Sequence, residues 1–401
     1  MRVLHSMIGS GGDVLPFTRL ARALLDRGHQ VTVQTWSQYH PWFPDGARIV
    51  APRHDVGAGD LHRAFVEALQ LASPWDQIGR FARTFYGLDR GRDAALAAAA
   101  HAREVATGHD VAICDVLDHM GQLGCDLAGV PWFSWASRPA PNPRDVDRPL
   151  APVDEALSAF FTIAGAGAGG DGKRRVLTFR ARGPLGDLVN ASPALILPHP
   201  HHPEALVTGA WLAPASEITG APLPDAVARF LDAGPALLLS FGTLPDLRGR
   251  TSALLAAAAR TGWRVILQVL PPDAPPSWIP PGTLVVRDRL PYAALLPRLA
   301  GFVYHGGAGT LYEACRAGCP SLAMPHMADQ YYWARAIASR GLGPRPLLPD
   351  ERDPAKLDAP FDALRDPRWA AANAALGARL AEEDGVAVTV AHLERVGGTA
   401  A

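Results

Sequence analysis

Between Phe302 and Gln330 the sequence FVYHGGAGTLYEACRAGCPSLAMPHMADQ gathers groups able to handle a phosphorylated ligand. A strand-like apolar run ends at His305, and Gly306, Gly307, Ala308, Gly309 and Thr310 lead into a helix. Glycines let the backbone approach a ligand closely. The first amides of a helix have no partner inside it and favour an anion. The stretch therefore reads as a phosphate seat with His305 at its edge. Glu313 falls two turns into the helix, in reach of ribose hydroxyls. Asp329 and Gln330 follow the next strand, and a carboxylate and an amide are good partners for sugar hydroxyls.

Two more turns belong with it. SFGT, carrying Ser240, Gly242 and Thr243, closes the strand Ala236–Ser240. RLP, Arg289 to Pro291, follows the short strand Thr283–Arg287. Ligands of parallel α/β sheets sit at the carboxyl ends of the strands. Three such turns outline a crevice for a nucleoside diphosphate.

The elements that must position these turns follow from pattern. Arg2–Ile8 is a strand, Gly9–Asp13 a glycine turn, and Leu15–Arg27 a helix stopped by Gly28. Strands follow at Gln30–Thr35, Asp110–Cys114, Val130–Trp135 and Ala194–Leu197. Pro198–Pro224 is proline-rich and lacks helical periodicity, as a linker would. A second series opens with helix Val227–Ala233 and continues through helix Ser252–Thr261 and strand Arg264–Val269. The expected fold class is α/β: two doubly wound Rossmann-like domains facing across a cleft. Their expected limits are residues 1–200 and 226–401 around a linker at 201–225, with the last helix packing back on the first domain.

Several classes are excluded or disfavoured. A dinucleotide site needs a glycine where Val14 stands and an acid where Gln34 and Thr35 end the second strand. No G-K-[ST] occurs, so there is no nucleotide P-loop. A formal net charge of −1 offers nucleic acid no basic field. No uncharged apolar run reaches the ~20 residues of a membrane span, and no signal peptide is evident, so a cytoplasmic protein is expected. Lysine is confined to Lys173 and Lys356, which leaves lysine chemistry few candidates. Cys114, Cys125, Cys315 and Cys319 read as buried thiols. No metal or cofactor is expected. The D-x-D of Asp145 and Asp147 lies in a proline-rich loop, and His199, His201 and His202 read as linker surface. Gly165–Gly172 reads as a flexible loop.

Three segments together resemble the GT-B glycosyltransferases of family one, in the branch that includes natural-product and sterol glucosyltransferases. GSGGDVLPFTRLARALLDRGHQVTV is similar to the family's opening block, LVTGAWL to its linker signature, and VYHGGAGTLYEACRAGCPSLAMPHMADQYYWA to its donor-binding signature. The resemblance implies inverting, metal-independent transfer of a sugar from a UDP- or TDP-sugar, a substrate rather than a cofactor, to a hydroxyl of a hydrophobic small molecule. It implies that His305 contacts the diphosphate with Gly306, Gly307, Ala308, Gly309 and Thr310. It further implies that Glu313 binds ribose, Arg289 and Leu290 frame the base, and Asp329 and Gln330 hold the sugar. Gly12 joins the donor contacts. Asp13 stands where the vancomycin-type and sterol-type relatives carry their general base; the alternative is a plain helix cap. Asp115 is a secondary candidate. The sequence departs from many sterol-type relatives in having Gly11 where they carry arginine, and Tyr304 where they often carry a first histidine. First-domain aromatics, Trp75, Phe85, Trp132 and Trp135, are the expected acceptor contacts. Two other readings stay open: a sugar-nucleotide epimerase of the same architecture, and a non-catalytic partner protein. A monomer and a homodimer are equally compatible with the pattern.

Overall fold

The computed structural model describes residues 1–71, 74–87, 90–138, 183–196, 205–212, 221–245, 249–270, 274–327 and 329–397. Asp145, Asp147, Gly165–Gly172, Lys173, His199, His201 and His202 lie outside them. The chain divides into two units, Met1–Leu212 with Asp384–Ala401, and Ala213–Glu383.

Unit 1 is built on a seven-stranded sheet, all parallel, in the order β3-β2-β1-β4-β5-β6-β7. The strands are β1 Arg2–Ser6, β2 Gln30–Gln34, β3 Arg48–Val50, β4 Val111–Asp115, β5 Trp132–Ala136, β6 Asp187–Val189 and β7 Ala205–Val207. β4 is buried along its whole length, as a parallel strand covered on both faces must be. Helix α1, Gly11–Asp26, buries Val14, Phe17, Leu20, Ala21 and Leu24, a stripe at helical spacing. Gly28 follows it at φ 79°, a left-handed turn that glycine adopts without strain. Helices α2 Ala58–Gln70, α3 Pro74–Tyr86, α4 Arg92–Ala106 and α5 His119–Ala128 complete the first pass.

Two strand expectations are corrected here. Residues 193–195 form a turn, with Leu195 buried, and not the strand expected at Ala194–Leu197. The outer strands are β6 and β7, and β7 lies inside the stretch expected to be linker. Three-residue strands are too short for an alternating pattern to reveal. Trp211, also in that stretch, is a core residue of unit 1. Its indole packs against Phe17 at 5.6 Å and Trp135 at 5.9 Å. Its backbone N–H donates to Asn190 Oδ1 at 2.5 Å, and its carbonyl accepts from Arg19 at 2.7 Å.

Unit 2 carries a five-stranded parallel sheet, β10-β9-β8-β11-β12. Its strands are β8 Ala236–Ser240, β9 Arg264–Gln268, β10 Thr283–Val286, β11 Gly301–Tyr304 and β12 Ser321–Ala323. Its helices are α6 Asp225–Asp232, α7 Arg250–Arg260, the short α8 Tyr292–Leu295, α9 Ala308–Arg316, α10 Gln330–Ser339, α11 Pro354–Ala363 and α12 Pro367–Glu382. Taken in chain order, its strands have the same arrangement as the first five of unit 1. In both sheets the order reverses beside the first strand, between β1 and β4 and between β8 and β11. The last helix, α13 Gly385–Gly397, belongs to unit 1. Glu394 on it takes hydrogen bonds from Arg27 and lies 3.0 Å from His29 Nε2. Among the described residues no helix is long and apolar enough to cross a membrane.

Helix α9 is held from behind by α12. A Cβ on Gly377 would lie 2.5 Å from the Cys315 carbonyl oxygen, so only glycine permits this approach. Buried Asn373 donates to the carbonyls of Leu342 and Trp369 at 2.6 and 2.7 Å and accepts from Cys315 Sγ at 3.3 Å. Burial raises the thiols of Cys315 and Cys319, the latter to about 12, so both stay protonated. Asn373→Leu strands the Leu342 carbonyl away from water, and such a loss costs about 1–3 kcal/mol. Chemical denaturation of this variant is expected to show that loss; an unchanged midpoint would show that α12 does not depend on the amide.

Candidate functional site

β8 and β11 lie side by side, with Ser240 opposite Tyr304 in the register. Their chains leave the sheet into different turns, and a crevice opens at such a reversal. His305 leaves β11. Gly306 follows at φ 84°, where a Cβ would stand 3.2 Å from the Gln330 carbonyl oxygen. A Cβ on Gly307 would lie 2.4 Å from His305 Nε2, so the imidazole lies over that glycine. Gly307 is the N-cap of α9 and supplies no side-chain cap. Gly309 is exposed with open space around it, which leaves the first turn of α9 accessible. Across the crevice Gly242 stands at φ 62°, and a Cβ there would lie 3.8 Å from His305 Cε1. The Ser240–Thr243 turn therefore lies beside the same imidazole.

Burial depresses His305 from its ordinary 6.5 to about 4, so the ring is neutral near pH 7. Its Nδ1 is buried and has no hydrogen-bond partner among the described residues. Thr310 and Glu313 are half-buried on α9. Gln330 is buried, and its Oε1 accepts from the backbone N–H groups of His326 and Met327 at 2.8 and 3.2 Å. Its side-chain carbonyl thus folds its own loop. Asp329 is the N-cap of α10, and its Oδ2 accepts from the Trp333 indole at 3.0 Å.

In the RLP turn Arg289 is exposed and Leu290 buried. The sequence reading missed what holds this turn. Gln268 Nε2 donates to the Asp288 carbonyl at 2.8 Å, and Ser240 Oγ donates to Gln268 Oε1 at 2.7 Å. Tyr292 OH lies 3.2 Å from the same Gln268 oxygen. The available signal was a glutamine directly after the apolar run Val265–Leu267.

In unit 1 Asp13 is the N3 residue of α1. Its Oδ2 accepts from the Ser10 N–H at 2.7 Å and Ser10 Oγ at 2.9 Å, completing a capping box. The preceding Gly9 has φ 134°, and a Cβ there would lie 2.5 Å from Asp13 Oδ2. Gly12 is exposed in the same turn. Gly11 is covered by Trp42, whose Cη2 would lie 2.8 Å from an added Cβ. The tryptophan occupies the space an arginine side chain would leave through. Asp115 Oδ1 accepts from the Leu117 N–H at 2.7 Å, which shapes the turn after β4.

The acceptor aromatics divide. Trp132 is 1% exposed, packs with Leu4, Val105 and Cys125, and donates to Asp126 at 2.7 Å. Trp135 is buried against Phe17 at 4.9 Å. Both are core residues, a correction: their β5 positions alternate in a sheet that is covered on both faces, so neither has a solvent side. Trp75 lies on α3. Phe85 lines a pocket in unit 1 with Ile8, Gln34, His54, Asp118 and Met120. Asp118 accepts from Ser6 Oγ at 2.6 Å, and burial raises its carboxyl pKa.

Comparison with known proteins identifies the family. The family described as erythromycin biosynthesis protein CIII-like, C-terminal domain, matches residues 252–391. Glycosyltransferase GtfE of Amycolatopsis orientalis is 30% identical over 375 residues, covering 86% of this chain and 85% of that protein. The vancomycin aglycone glucosyltransferase of the same organism is 36% identical over 162 residues, a match spanning 39% of this chain and only 37% of that relative. The crystal structure of glycosyltransferase VinC in complex with DTDP superposes over both full chains, with 100% of each covered, a TM-score of 0.65 and 21% identity. The chain belongs to the family-one glycosyltransferases of natural-product type, with the GT-B fold.

The buried histidine sets a pH dependence. Unfolded, His305 takes up a proton near 6.5; folded, only near 4. Between those values the unfolded state binds more protons, so the contribution is complete above 6.5 and is lost as pH falls towards 4. Denaturation of the ligand-free protein across that range is expected to show falling stability, with a shallower slope in His305→Gln. An unchanged slope would mean the imidazole is not buried neutral.

Proposed function

We propose that this protein moves a sugar from a nucleoside-diphosphate sugar, UDP- or TDP-linked, to a hydroxyl of a hydrophobic small molecule, with inversion and without a metal ion. The observation that carries this reading is His305: an imidazole whose buried Nδ1 has no partner among the described residues, set at the open N-terminus of α9 and beside the Ser240–Thr243 turn. Charge builds on the departing diphosphate as the glycosidic bond breaks. Amides and an imidazole already aimed at it stabilise that charge without reorganising. The diphosphate in turn favours the protonated ring, so donor binding takes up a proton. Glu313 is assigned to the ribose, Arg289 and Leu290 to the base, and Asp329 with the Gln330 amide to the sugar. The DTDP bound to VinC supports thymidine diphosphate as the first nucleotide to test.

On the acceptor side Asp13 is assigned as general base. Its bonds to Ser10 hold the carboxylate in one place as the acceptor oxygen attacks the anomeric carbon.

Asp13→Asn separates base from cap, because an amide oxygen can still accept from Ser10. Turnover is expected to fall about 10²–10⁴-fold with donor affinity unchanged. Near-normal turnover would leave Asp13 a cap and nothing more. Activity is also expected to survive EDTA; a loss restored by Mg²⁺ or Mn²⁺ would end the metal-free reading.

A further inference from the structure

Gln268 closes β9, one strand away from the sheet reversal, and is buried. Both ends of its amide are engaged. Oε1 accepts from Ser240 Oγ at 2.7 Å and from Tyr292 OH at 3.2 Å, and Nε2 donates to the Asp288 carbonyl at 2.8 Å. Ser240 Oγ also accepts from the Gly242 N–H at 3.2 Å. One side chain therefore links the Ser240–Thr243 turn, which lies beside His305, to the Asp288–Pro291 turn.

We propose that Gln268 is a positioning residue for the nucleoside end of the donor, holding the Asp288–Leu290 backbone at a set distance from the diphosphate seat. The inference rests on the donor reading above and extends it to residues that reading does not use. An amide suits the task because it carries an acceptor and a donor in one plane. Glutamate would oppose the Asp288 carbonyl with a second acceptor. Leucine would fill the volume and bond to neither turn. A strand end this apolar has no need of glutamine for packing, and a buried amide is retained at a cost unless its partners are fixed. Tyr292, at the start of α8, ties the far side of the same turn to the same oxygen. Base and diphosphate are thereby recognised at a fixed separation.

The test compares affinities of the wild type, Gln268→Leu and Tyr292→Phe for UDP, TDP, ADP and GDP by calorimetry, alongside thermal melting and donor kinetics. The wild type is expected to prefer one base. Gln268→Leu is expected to lose about tenfold of that preference while its affinity for the disfavoured nucleotides stays within about twofold. The donor KM should rise with kcat nearly constant. Tyr292→Phe, which deletes one hydroxyl, should move the same way by less, and it carries the test if the leucine variant loses its folding transition. Equal weakening towards all four nucleotides, or unchanged preference in both variants, would overturn the proposal and reduce Gln268 to a structural glutamine. A wild type that binds all four equally would overturn it too, leaving the diphosphate reading standing. Failure of the wild type to bind any of them would overturn the donor reading itself.

Discussion

A helix cannot satisfy its own first amides, and in unit 2 that constraint falls where two neighbouring strands part. β8 and β11 are adjacent and parallel, and the sheet order reverses between them, the place where a crevice opens in such a sheet. The glycines there follow from the same constraint. Gly306 turns through a positive φ against the Gln330 backbone, and Gly307 leaves room for the imidazole above it. A side chain at either place would close the crevice or displace the histidine. The packing behind α9 serves the same end: Gly377 and Asn373 let α12 approach closely enough to hold the helix without touching its open end.

His305 carries the cost of this arrangement. An imidazole kept neutral by burial, with a nitrogen that has no hydrogen-bond partner among the described residues, costs stability in the free protein. Asp13 in unit 1 differs. Its carboxylate already has two bonds from Ser10, so its position is set by the local turn and not by a ligand. One site is organised around an unmet need and the other around a met one.

Much of this was legible in the residues. The strand-turn-helix units around Asp13 and His305 declare themselves because long apolar runs, glycine turns and helical stripes are local signals. The two-sheet architecture follows from repeating them. What was not legible is equally specific. β6 and β7 are three residues long, below the length at which alternation can be seen. Trp132 and Trp135 look like an aromatic binding surface and are core, because a parallel strand covered on both faces has no outside. Gln268 is one polar residue at a strand end, and its partners are 28 residues before it, at Ser240, and 20 to 24 after it, at Asp288 and Tyr292.

The sequence by itself determined the fold class, the family and the glycine turns after β1 and β11, since each depends on neighbours along the chain. Only the tertiary structure decided that the Gly242 turn lies beside His305, that Trp42 fills the space over Gly11, and that Gln268 joins the Ser240 and Asp288 turns. Those are contacts between segments far apart in sequence. They are set by how sheets and helices pack in three dimensions, and no local pattern encodes which distant surface a side chain will meet.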